Sequence, residues 1–167
     1  RLPACQKLLR RVAEAFVAGV AASREEEHPV TIANMVWALA TALADVRPEV
    51  LREMAAIARG RLAHFKAHEL CIMLWAFARL GGCDDELFIE ARELLCKDQR
   101  VREEIHSQGI ANLLWAFARH KLEPLNVVGG RGSSAGGGDL LTALFPTCSR
   151  LLPRLNSVEL SSMLWAV

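Results

Sequence analysis

Apolar and polar positions along this chain fall into two kinds of helical block that alternate. One kind is amphipathic: in the stretch from Asp84 to Lys97, Leu87, Ile89, Ala91, Leu94 and Leu95 recur near i, i+4 and i+7 with Glu90, Arg92, Glu93 and Lys97 between them, which predicts a surface helix with one buried stripe. The same pattern predicts helices over Cys5 to Gly19, Pro48 to Leu62 and Leu140 to Leu152, with Pro146 expected to kink the last or delay its start. The other kind is nearly free of charge: Pro29 to Ala44, Ala67 to Leu80, Ser107 to His120, and Ser157 onward. A helix that is apolar on most sides is buried on most sides, so these blocks are expected to form an inner layer. Start and stop signals agree: Pro29 suits a first helical position, Asn156 a cap before Ser157, and Gly81-Gly82 a helix end.

The uncharged blocks share one phrase, Met35-Val36-Trp37-Ala38-Leu39-Ala40, Met73-Leu74-Trp75-Ala76-Phe77-Ala78, Leu113-Leu114-Trp115-Ala116-Phe117-Ala118 and Met163-Leu164-Trp165-Ala166-Val167. The steps between tryptophans are 38, 40 and 50 residues, and the long step becomes 40 once the ten residues from Gly129 to Gly138 are set aside. A fixed period of that size marks stacked helical hairpins, none of which buries its apolar face alone. The fold expected is therefore all-α, an α-solenoid of armadillo or HEAT type with repeats at about 1–44, 45–82, 83–122 and an incomplete 139–167, and a Gly/Ser-rich flexible insertion at 123–138. Because the sequence opens on Arg1 and stops inside its fourth Trp phrase, a piece of a longer protein is expected. Arg1 to Ala22 is Arg-rich and acid-poor as a presequence would be, but its register one period before Glu49 to Leu62 favours the first helix of the first repeat.

Aligned on Trp, the copies carry alanine at +1 (Ala38, Ala76, Ala116, Ala166) and small residues at −4 (Ala33, Cys71, Ala111, Ser161). Small residues beside a large indole let helices approach while the ring fills the gap, which places Trp37, Trp75, Trp115 and Trp165 in the core as structural residues. The stripe at −6, −3, +1 and +4 is the one with polar members: Thr31, Asn34, Ala38 and Thr41, then Glu69, Ile72, Ala76 and Arg79, then Gly109, Asn112, Ala116 and Arg119, then Glu159, Ser162 and Ala166. Amides and hydroxyls that change from repeat to repeat, with arginines beside them, are what a repeat protein needs to read base edges and hold phosphates. The same residues also suit a solvated face, since arginine in a last helical turn is favoured by the helix dipole.

Composition narrows this picture. The net charge of +1 gives no independent support to nucleic-acid binding, and 52% hydrophobic residues supply ample core. Five cysteines without a C-x-x-C pair point to reduced thiols. Pro29 to Ala44, the longest charge-free stretch around a Trp, is too short to span a bilayer, so no membrane segment is expected. His64 and His68 have metal-ligand spacing beside Glu69 and Cys71, yet His64 is expected to precede the helix that holds His68, so no metal site is assigned. The glycine-rich stretch lacks G-K-[ST] and follows a helix, so no phosphate loop, cofactor site or catalytic residue is assigned either.

The phrases Ile32-Ala33-Asn34-Met35-Val36-Trp37-Ala38-Leu39-Ala40 and Ile110-Ala111-Asn112-Leu113-Leu114-Trp115-Ala116-Phe117-Ala118 resemble the signature of the octotricopeptide repeat, a family of 38-residue helical hairpins. Similar phrases occur in relatives of the Fas-activated serine/threonine kinase type and in proteins resembling the RNA-editing substrate-binding complex 6 subunit. The second copy departs from the signature with Ile72 in place of asparagine. The resemblance implies a non-catalytic RNA-binding protein of mitochondria, or alternatively plastids, acting on single-stranded RNA in transcript stability, processing, editing or translation, alone or with protein partners of an RNA-processing complex. On it, Asn34, Thr41, Ile72, Arg79, Asn112, Arg119 and Ser162 are the expected RNA contacts. The rival expectation is a protein-binding scaffold of the same architecture, which the near-neutral charge favours.

Overall fold

The computed structural model describes residues 3–22, 28–81, 85–120 and 140–166. Among them the chain is all-α: α1 (Pro3–Ala22), α2 (Pro29–Thr41), α3 (Pro48–Arg59), α4 (Ala67–Leu80), α5 (Asp85–Lys97), α6 (Gln99–Glu104), α7 (Ser107–His120), α8 (Leu140–Leu151) and α9 (Ser157–Ala166), with 3-10 turns at Leu62–His64 and Leu152–Arg154. No strand occurs among the described residues. The stretch 123–138, expected to be an insertion, lies outside them.

Helix boundaries follow local chemistry. Pro29 and Pro48 each occupy a first helical position after an extended residue, where a missing N–H costs nothing. At α9, Asn156 Oδ1 accepts from the Glu159 N–H at 2.9 Å while the Glu159 carboxylate accepts from the Asn156 N–H at 2.9 Å, a reciprocal capping box. Gly81 closes α4 at φ +70, which only glycine adopts without steric cost.

Three local expectations change. Helix α2 stops at Thr41 rather than Ala44, because Leu43 turns left-handed at φ 50 and lets the Leu43 and Ala44 N–H groups bond back to Ala40 and Leu39 carbonyls at 3.1 and 2.9 Å. Helix α8 begins where expected but runs through Pro146, whose exposed position leaves water free to solvate the carbonyl that proline cannot serve. Helix α6 was not expected; at six residues it is too short to show a period, and Asp98 nucleates it by accepting from the Arg100 and Val101 N–H groups at 2.8 and 3.3 Å. It occupies the place in its repeat that the two 3-10 turns occupy in theirs.

The helices pack in two rows. The Trp-bearing helices touch in sequence, α2 on α4, α4 on α7 and α7 on α9, and the amphipathic helices touch in sequence, α1 on α3, α3 on α5 and α5 on α8. The core between and within the rows is formed by positions −5, −4, −1 and +2 of the Trp phrase: Ile32, Leu70 and Ile110, Ala33, Cys71 and Ala111, Val36, Leu74 and Leu114, and Leu39, Phe77 and Phe117 are all buried. Phe88 of α5 meets Phe117 edge to face at 5.5 Å, which ties the two rows together. Close approach is tightest at the start of α7, where a Cβ on Gly109 would stand 3.4 Å from Cys71 Sγ of α4 and 3.3 Å from Ile105.

Arginines hold the outer surface. Arg59 of α3 pairs with Glu86 and Glu90 of α5, and those carboxylates raise its affinity for its proton further. Arg10 pairs with Asp45 and Arg47 with Glu14, joining α1 to the segment after α2. Arg102 donates to the Leu95 and Cys96 carbonyls at the end of α5, and Arg150 donates to the Glu103 and Ile105 carbonyls at the end of α6.

Candidate nucleic-acid interface

The face of the Trp-bearing row that no other helix covers among the described residues is set by helical geometry. Positions −7, −3, 0 and +4 fall on one face of an α-helix, and in this chain they are the accessible ones. They are Val30, Asn34, Trp37 and Thr41 on α2, His68, Ile72, Trp75 and Arg79 on α4, Gln108, Asn112, Trp115 and Arg119 on α7, and Val158, Ser162 and Trp165 on α9, each exposed or half-buried.

This corrects two expectations. The tryptophans are not buried within the core: Trp37 is 46% and Trp165 59% exposed, while Trp75 and Trp115 are half-buried and pack against it. From α4 onward the stripe is also rotated from the expected one, since Ala76, Ala116 and Ala166 at +1 and Glu69 and Gly109 at −6 are buried, whereas Ala38 and Thr31 of α2 are exposed as expected. The physical reason is close packing: alanine and glycine mark where neighbouring backbones meet, and an indole too large for that seam lies over it on the open side. Glu69 is buried because its carboxylate turns back to accept from the Lys66 N–H at 3.0 Å.

Laid over successive seams, the rings form a ladder. Trp75 and Trp115 have centroids 6.3 Å apart with planes inclined 42°, and Trp115 and Trp165 have centroids 6.1 Å apart with planes inclined 31°. The Arg79 guanidinium lies over the Trp75 ring at 5.2 Å, within cation–π range, and its Nε donates to the Ala40 carbonyl of α2 at 3.3 Å. Arg79 therefore both stacks and caps the neighbouring helix. An open pocket of about 220 Å³ lies against this ladder, lined by Trp75, Arg79, Ala111, Asn112, Trp115 and Ser162.

Of the residues expected to contact RNA, Arg79, Asn112 and Ser162 meet at this pocket. Arg119 is exposed one helix turn beyond Trp115, and Ile72 is half-buried one turn before Trp75. Asn34 and Thr41 are exposed on α2, outside the pocket lining, and the Thr41 hydroxyl donates to the Trp37 and Ala38 carbonyls of its own helix. His68 and Gln108 belong to the face and were not expected there; a residue seven before Trp shares its side of a helix, which the spacing alone could have supplied.

Ion pairs gather on the amphipathic row. Arg10, Arg47, Arg52, Arg59 and Lys97 each hold a carboxylate, and Lys97 draws the Glu93 carboxyl below its ordinary range. Arg79 and Arg119 have no carboxylate partner among the described residues. His64 lies on a 3-10 turn and His68 on α4, and no cluster of three or more potential metal-ligating side chains occurs among the described residues. No helix among the described residues is long and apolar enough to cross a membrane.

No family model, no curated protein and no solved structure matches the chain.

Proposed function

We propose that this chain is a non-catalytic, single-stranded RNA-binding helical-repeat protein whose ligand lies along the open face of α2, α4, α7 and α9. The observation that carries the reading is the tryptophan ladder, with Arg79 over Trp75 and with Arg119, which has no carboxylate partner among the described residues, one turn beyond Trp115. Aromatic rings presented in series give bases a platform, and arginines free of carboxylates give phosphates a partner; single-stranded nucleic acid is the ligand that needs both at a repeating interval. The near-neutral net charge is compatible with this because Arg10, Arg47, Arg52, Arg59 and Lys97 are neutralised by acids away from this face. A role in mitochondrial, or alternatively plastid, transcript stability, processing or editing follows from the resemblance of the Trp phrase to octotricopeptide repeats.

Salt dependence tests it. With Arg79 and Arg119 each on one phosphate, the logarithm of affinity for a randomised single-stranded RNA pool should fall against the logarithm of salt with a slope of about −1.4, and Arg119→Gln should reduce that slope by about 0.7. Absence of binding at low salt, or a slope untouched by Arg119→Gln, would sink this assignment. One observation favours a protein scaffold as the second reading: α9 leaves Val158, Leu160 and Leu164 exposed, a surface suited to another helix.

A further inference from the structure

We infer that the pocket against Trp75 and Trp115 accepts one unpaired nucleobase, and that the Asn112 side-chain amide is the group that distinguishes which base it is. The inference rests on the RNA reading above and adds to it a site, a stoichiometry and a reader.

Three features of the pocket point this way. First, its walls include two indoles whose planes diverge at 42° from a centroid separation of 6.3 Å. At that separation the rings pack on one another, so a base lies against the outer surface of the pair rather than between the rings. Second, two of the pocket's polar side chains are uncommitted, while Arg79 is held by the Ala40 carbonyl and the Trp75 ring. The Asn112 amide and the Ser162 hydroxyl have no hydrogen-bond partner among the described residues, although both residues are half-buried. Both groups remain accessible, so a ligand offering a matched donor and acceptor meets an amide and a hydroxyl that no neighbouring side chain occupies. Third, an amide presents its acceptor and donors side by side, which is the pattern needed to discriminate base edges.

The larger cavity of about 340 Å³ between α6 and α8 shows the contrast. It has no aromatic wall among its lining residues and so no platform for a base.

The chain itself provides the test variant. Ile72 occupies in α4 the position that Asn112 occupies in α7, so Asn112→Ile places a residue this repeat already tolerates and deletes only the amide. The experiment is selection of bound RNA from single-stranded nonamers randomised at every position, followed by sequencing, for the unaltered chain, Asn112→Ile and Trp115→Leu, with thermal unfolding of each variant as the control for folding. The unaltered chain should show one position with a base preference of about tenfold or more, the magnitude of one good side-chain-to-base contact. Asn112→Ile should flatten that position to within about threefold and bring affinity for the preferred sequence down towards that for the others, and Trp115→Leu should lower affinity for all sequences about tenfold or more. An unchanged preference profile in Asn112→Ile, with binding and salt dependence intact, overturns the pocket assignment and leaves RNA binding standing. No enrichment of any RNA by the unaltered chain overturns both, and in that case binding of peptides to α9 is the reading that survives.

Discussion

At the scale of single residues, position −4 of the Trp phrase shows how packing sets chemistry. Cys71 occupies it in α4 where Ala33 and Ala111 stand in α2 and α7, and full burial pushes its thiol up to about 12 from an ordinary 9.0. Cys148, partly buried on α8, is also pushed up by desolvation. A buried neutral thiol is not a nucleophile at neutral pH, so Cys71 is a packing residue. The linkage has a definite sign. The unfolded thiol ionises near 9.0 and the folded one only near 12, so this contribution to stability is fully present below the unfolded value and is lost as pH rises between them. Across that window unfolding should become easier by about 1.4 kcal/mol per pH unit from this group. Cys71→Ala, which restores the residue of the neighbouring copies, should remove that component, so in urea unfolding between about pH 8 and about pH 11 the unaltered protein should lose stability relative to the variant as pH rises. Parallel curves would mean that Cys71 is solvated. The tryptophans were misplaced from sequence at this same scale: periodicity identifies that an indole and its alanines share a helix, but which of them faces the seam depends on how near the next backbone comes, and that distance is set by residues forty positions away.

At the scale of elements, most boundaries were legible because each is written in local chemistry. Ala67–Leu80 and Ser107–His120 coincide with the expected spans, closed by glycine in one case and carried by a clean apolar run in both. The exceptions are instructive in the same terms. Helix α6 depends on one aspartate, and the end of α2 depends on a leucine in a conformation that leucine disfavours. Side chains of α1 hold that turn from outside: Gln6 donates to the Leu43 carbonyl at 3.2 Å and accepts from the Asp45 N–H at 3.0 Å, while Arg10 bonds the Asp45 backbone carbonyl at 3.1 Å. A non-glycine residue in the left-handed region costs about 1 to 3 kcal/mol, and glycine returns about 0.4 to 1 kcal/mol of that through the freer unfolded chain. Leu43 is 55% exposed, so little packing is lost with its side chain. Leu43→Gly should therefore raise stability by about 0.5 to 1 kcal/mol, measured as a rise in the urea midpoint at unchanged slope. A fall in the midpoint would show that the Leu43 side chain contributes more in place than its backbone costs.

At the scale of the whole molecule, the two rows make stability a property of neighbours. The clearest expression is position −1 of the Trp phrase, where the same kind of side chain meets different surroundings: Val36, Leu74 and Leu114 are 0 to 1% exposed, whereas Leu164 is 80% exposed. Position −5 behaves alike, with Ile32, Leu70 and Ile110 fully buried and Leu160 36% exposed. Within a stack each such residue is covered by the following helix of its row, and α9 is the last of that row among the described residues. Identical substitutions at equivalent positions should then have unequal effects. Leu74→Ala removes packed volume from the centre and should cost about 2 to 5 kcal/mol, while Leu164→Ala should stay within about 0.5 kcal/mol. Repeating both measurements over a wide range of protein concentration gives the comparison a second reading. If the exposed end of α9 is free in solution, the Leu164→Ala midpoint matches the unaltered chain at every concentration. If another copy or another chain seats on it, the unaltered protein gains stability with concentration and Leu164→Ala does not, which would turn the apolar end of the row from a bare surface into an interface.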